Sequence, residues 1–78
     1  MIYQGSIVTI YTDKSHTLTG SIIQPSSSYK ITGNIRDPNG NNLATFNNVA
    51  SYAVNIDVSA YEYVTITATP GYKIDLTW

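Results

Sequence analysis

The residues of this chain that could do chemistry are few, and the best of them stand together in Arg36-Asp37-Pro38-Asn39-Gly40-Asn41-Asn42-Leu43. Asp37, Asn39 and Asn41 place side-chain oxygens at alternate positions, the pattern by which a loop wraps a hard cation such as calcium. A helix-flanked calcium loop beginning at Asp37 would need glycine at its sixth position and a bidentate glutamate at its twelfth. Here Gly40 comes two places early and Asn48 stands where the glutamate belongs. The same residues make a good hairpin turn without any ligand: Asp opens it, Pro38 presets φ, and Asn39-Gly40 tolerates positive φ. The stretch reads as a turn, and neither a metal nor a cofactor is expected.

Other reactive combinations fail on their surroundings. His16 is the only histidine; it lies between Ser15 and Thr17 in a polar segment with nothing resembling a nucleophile elbow beside it. Ser26-Ser27-Ser28, after Pro25, reads as a loop. Asp57 and Asp75 fall on the wet faces of two strands, but a glycosidase holds its two carboxylates at a fixed separation in a cleft. A thin domain has little room for such a cleft, and the chain is expected to be non-enzymatic. Duplex binding wants a basic patch, whereas Lys14, Lys30, Arg36 and Lys73 are scattered along a chain of net charge −1. Nucleic acid is therefore not an expected partner.

The elements that would position any site show a period of two. Tyr29 to Arg36, Tyr52 to Val58 and Tyr72 to Trp78 alternate apolar with polar or small residues, as half-buried strands do. Ser6 to Tyr11 and Tyr63 to Thr69 are rich in β-branched and aromatic residues, which suit a pleated surface. Thr17 to Gln24 and Leu43 to Phe46 bring the set to about seven strands. The segments between them carry turn residues: Thr12 to Ser15, Pro25 to Ser28, Asp37 to Gly40, Asn47-Asn48 and Pro70-Gly71. The expected fold is one all-β domain over residues 1–78, a small antiparallel β-sandwich.

Size then raises the question of support. A chain of 78 residues buries only about 60–65% of the surface its unfolded form exposes. With no cysteine, neither disulfides nor thiolate metal sites can staple it. Assembly as a homo-oligomer, or membership of a larger chain, is the expected support. No run approaches the roughly 18 apolar residues of a membrane span, so no membrane partner is expected. Met1 to Ser6 lacks the basic start and apolar stretch of a secretory signal. The expected setting is a virion, with synthesis in the host cytoplasm; the alternative is an extracellular module of a longer protein.

Two fragments carry a family resemblance. Ile31-Thr32-Gly33-Asn34-Ile35-Arg36-Asp37-Pro38-Asn39-Gly40-Asn41-Asn42-Leu43 resembles the strand, turn and strand of small bacterial and phage immunoglobulin-like or carboxypeptidase-regulatory-like sandwiches. Gly33, Ile35, Asp37, Gly40 and Leu43 match that pattern. Tyr61 to Ala68 is similar to a strand of fibronectin-type sandwiches, with Glu62 and its flanking tyrosines as departures. The resemblance covers under half the chain and implies an immunoglobulin-like architecture; it carries no site.

Surface chemistry supplies the candidate sites. In Ile7-Val8-Thr9-Ile10-Tyr11 both faces of the strand are apolar, so either Val8 with Ile10 or Ile7 with Tyr11 is left for a neighbour to cover. Ile7, Val8, Ile10 and Tyr11 form the candidate assembly surface, on an edge strand. Of the seven tyrosines, Tyr29, Tyr52 and Tyr72, with Trp78, keep phase with the apolar faces and are expected at the core or its rim. Tyr3, Tyr11, Tyr61 and Tyr63 do not. Such rings suit protein interfaces or sugar stacking, and Tyr11, Tyr61 and Tyr63 are the candidate ligand-stacking residues. The expected function is a structural protein of an assembly, such as a phage virion accessory that decorates a capsid or joins a tail or fibre. The alternative is a carbohydrate-binding or adhesion module with a glycan partner.

Overall fold

The computed structural model describes residues 2, 3 and 7–78. They form eight strands and no helix: β1 (Ile2–Tyr3), β2 (Ile7–Tyr11), β3 (Thr17–Ile23), β4 (Ile31–Arg36), β5 (Asn42–Val49), β6 (Ser51–Asp57), β7 (Tyr63–Thr69) and β8 (Tyr72–Thr77). Two antiparallel four-stranded sheets result, a first in the order β1-β8-β3-β6 and a second in the order β2-β7-β4-β5. The architecture is an all-β sandwich, as the alternation predicts. Seven strands answer to the seven expected runs, with one correction: β5 continues through Asn47-Asn48, expected as a turn, to Val49.

Alternation sends one residue in two inward from each sheet. The first sheet contributes Leu18, Ile22, Val54 and Tyr72, and the second Ile10, Ile31, Ile35, Phe46, Val64, Ile66 and Ala68. Two contacts tie the layers together. The buried Tyr72 hydroxyl donates to the Ile66 carbonyl at 3.2 Å. Phe46 and Tyr52 stack with ring centroids 5.1 Å apart where β5 runs into β6.

The sequence phase misplaces two aromatics. Tyr29 is 56% and Trp78 54% exposed, because neither belongs to a strand. Tyr29 sits in a turn whose N–H donates to Ser26 at 3.2 Å, and Trp78 lies just past the end of β8. Tyr52 is half-buried and Tyr72 fully buried, as expected.

Turns join the layers. Asp13 and Lys14 both take positive φ, 53° and 55°, and Ser15 N–H closes that turn on the Thr12 carbonyl at 3.0 Å. The N–H groups of Asp13 and Lys14 donate to the carbonyls of Glu62 and Tyr61, and the buried Thr12 hydroxyl donates to Tyr61 as well, at 2.9 Å. The loop entering β7 is thereby fastened to the loop leaving β2.

Candidate functional site

The loop at Asp37 spends its oxygens on itself. Asp37 Oδ1 accepts from the backbone N–H of Asn39 and of Asn41, each at 2.9 Å, and Oδ2 accepts from the Asn41 side-chain amide at 3.3 Å. The Gly40 N–H donates to the Asp37 carbonyl at 3.0 Å, and the Asp37 N–H to the Asn41 carbonyl at 2.9 Å. Of the Asn-Gly pair only Gly40 takes positive φ, 86°, so the turn is a three-residue loop ending in a left-handed glycine. The Asn41 backbone N–H, with the other donors of the loop, holds the Asp37 carboxyl below the ordinary carboxylate range. Among the described residues no cluster of three or more His, Asp or Glu could hold a metal ion.

The two strand carboxylates are kept apart by register. Asp57 on β6 faces Thr17 of β3, while Asp75 on β8 faces Ser21 from the other side. Four residues along the strand and two strand spacings across put them about 16 Å apart, beyond the roughly 9.5 Å at which paired carboxylates share one reaction. Asp57 instead accepts from the Ser59 hydroxyl at 2.7 Å and from the Ser59 N–H at 2.9 Å, and its carboxyl is lowered mainly by that hydroxyl. His16 is exposed beside it.

What the fold does build is a surface on β2. This strand is an edge of the second sheet and pairs only with β7 among the described residues, with Ile7 facing Thr67, Thr9 facing Thr65 and Tyr11 facing Tyr63. Packing settles the phase that two apolar faces left open. Ile10 is buried and Val8 half-buried against the core, so these two members of the expected surface belong to the interior. Ile7 and Tyr11 point outward and are 66% and 65% exposed. The outer face of β2 is Ile7, Thr9 and Tyr11.

The tyrosines do not form one platform. The rings of Tyr11 and Tyr63 lie 5.7 Å apart but tilted by 52°, and Tyr61, half-buried in the loop before β7, packs against the core. Tyr3 and Ser6 have side chains outside the described residues. A sugar face is flat, and two rings at this angle cannot both lie against it.

Beside β2 the sandwich opens into a groove of about 490 Å³, lined by Val8, Ile10 and Tyr11 on one side and by Ile74, Leu76 and Trp78 on the other. Among the described residues Asp75 is its one charged lining side chain. Among the described residues β1 pairs with β8 at Tyr72 and Lys73. No spacing in the sequence signals this contribution from β8, since it depends on which strand lies next to which.

The four outermost strands differ in how they resist pairing. β5 carries two bulges, between Ile31/Gly33 and between Ile35/Arg36 of its ladder with β4, with Asn48 at φ 54° and its N–H held by the Thr32 hydroxyl at 3.0 Å. Bulges bend and blunt an edge. β1 has two residues, and β6 shows water only Ser51, Ala53, Asn55 and Asp57 on its outer face. Among the described side chains, β2 is the regular edge whose exposed face is uncharged and carries two large apolar side chains, Ile7 and Tyr11. The chain matches no protein-family model, and no curated protein or solved structure is significantly similar to it.

Proposed function

We propose that this protein is a non-catalytic assembly module that works by protein–protein contact through the edge of β2. The observation that carries the reading is the pair Ile7 and Tyr11, each about two-thirds exposed on an unblunted edge strand. Such an edge offers free backbone N–H and C=O groups together with apolar area, and soluble monomers normally blunt it with charge, proline or a bulge. Burying two large side chains, at about 25 cal/mol per Å² of apolar surface, also supplies the support that a 78-residue core lacks. A structural component of a virion, whether capsid decoration or part of a tail or fibre, fits such a module, and the immunoglobulin-like resemblance is part of the same proposal. The tilt between Tyr11 and Tyr63 favours protein over glycan as the partner.

The test is the mass in solution by light scattering from about 1 μM to 1 mM, the range in which modest interfaces half-fill. The wild-type chain is expected to associate, and Tyr11→Asp, with a charge on the exposed face, to remain a folded monomer. A wild-type monomer throughout, with no partner interface at β2, would overturn the reading.

A further inference from the structure

We infer that the occupant of the β2 edge is β2 of a second copy, paired antiparallel about a two-fold axis at Thr9. The second sheet of each copy then joins its partner's into one eight-stranded sheet, four strands from each. The inference rests on the assembly reading above and specifies the partner and its register.

Facing residues of an antiparallel pair share a face, so a two-fold axis through Thr9 sets Ile7 against the partner's Tyr11 and Val8 against the partner's Ile10. All five residues of β2 are used, and no apolar side chain meets a polar one. Moving the axis to Ile10 would leave Ile7 without a strand residue opposite, since position 13 lies in the turn after β2. Nothing between Ile7 and Tyr11 is charged, so the arrangement opposes no like charges. At a net charge of −1 per chain, long-range repulsion between copies is slight.

Both rows of side chains gain neighbours. On the outer face, Tyr11 already leans on Tyr63 at 5.7 Å, and the partner's Ile7 extends that row on the other side. On the inner face, the partner's Val8 and Ile10 come beside the groove lined by Ile74, Leu76 and Trp78. The pairing therefore closes the open side of the sandwich at the same step that covers its edge. The β8 side of the groove is a poorer candidate, because Asp75 stands within it and an edge charge opposes pairing.

Cysteine cross-linking reads the register directly, since the chain has no native cysteine. Facing Cα atoms of an antiparallel pair lie about 4.5 or 5.5 Å apart, within disulfide range. Three variants at exposed positions are oxidised at a concentration where light scattering shows association: Thr9→Cys, Ile7→Cys and Tyr11→Cys, each first checked for native circular dichroism. The expected result is that Thr9→Cys converts to a covalent dimer. Ile7→Cys and Tyr11→Cys form no covalent dimer singly but cross-link when mixed. If the chain associates but Thr9→Cys does not cross-link, or Ile7→Cys cross-links to itself, the two-fold register is wrong while the assembly reading stands. If the chain is monomeric at every concentration, both fall.

Discussion

Phe46 on β5 and Tyr52 on β6 stack across the two sheets with their ring planes only 24° from parallel. They close the sandwich where the chain passes from the second sheet to the first, the side away from the groove beside β2. One flank is thus closed by the chain's own aromatics and the other carries the groove, and the flanks differ in what substitution does to them.

On the closed flank a substitution acts on stability alone. Phe46 is buried, and truncation to alanine at such a site costs about 3–5 kcal/mol. That is comparable with the total of roughly 4–12 kcal/mol available to a domain of this size. The gentler Phe46→Leu is expected to cost about 1–2 kcal/mol, measured by urea denaturation at a concentration where the chain is monomeric. An unchanged midpoint would mean the ring stack contributes nothing.

Two glycines of the Gly33 to Gly40 stretch separate steric from conformational cost. A Cβ on Gly33 would fall on the Thr67 carbonyl oxygen and 2.7 Å from Ala68 Cα, whereas one on Gly40 meets nothing within 4 Å. Gly40→Ala pays only for positive φ at 86°, about 1–2 kcal/mol. Gly33→Ala must move β4 off β7 and is expected to cost more than that. Equal losses for the two variants in thermal melts would contradict the close approach of these strands.

Acid should find the Asp37 turn. Donors from its own loop, the Asn41 N–H foremost, lower this carboxyl below 3.8 in the folded chain. Its contribution to stability is therefore present above the unfolded value and lost as pH falls through the lower folded one. The melting temperature of the wild-type chain is expected to drop more steeply below about pH 4 than that of Asp37→Asn, which starts lower at neutral pH and has no such proton to take up. Parallel curves would show that the carboxylate form has no advantage there.

The parts of this molecule that were legible in its sequence are those where period and burial coincide. Alternation in Tyr52 to Val58 fixed both strand and face, because its large apolar residues Tyr52, Val54, Ile56 and Val58 all fall on one side. In β2 both faces are apolar, so the period marks a strand but carries no phase, and only packing sends Ile10 inward and Ile7 outward. Tyr29 and Trp78 fall inward only if a neighbouring strand's period is extended past its end, where the backbone no longer alternates. The charge pattern exposed no reactive cluster, and the Asp37 loop had already the residues of a self-sufficient turn. The groove could not be read at all, since β2 and β8 line it together, and which strands lie beside each other is a non-local fact.

That groove gives a label-free probe. Trp78 is the single tryptophan, 54% exposed in the groove lining, and an indole moved out of water emits at shorter wavelength. If a second β2 strand pairs beside the groove, the emission maximum is expected to shift to the blue as concentration rises, in step with the mass by light scattering. Tyr11→Asp should hold the longer-wavelength position at every concentration, because its charge opposes the pairing that would cover Trp78. Association without a change in emission would place the interface elsewhere on the surface, since a strand seated along Val8 and Ile10 cannot leave the facing Trp78 in the same contact with water.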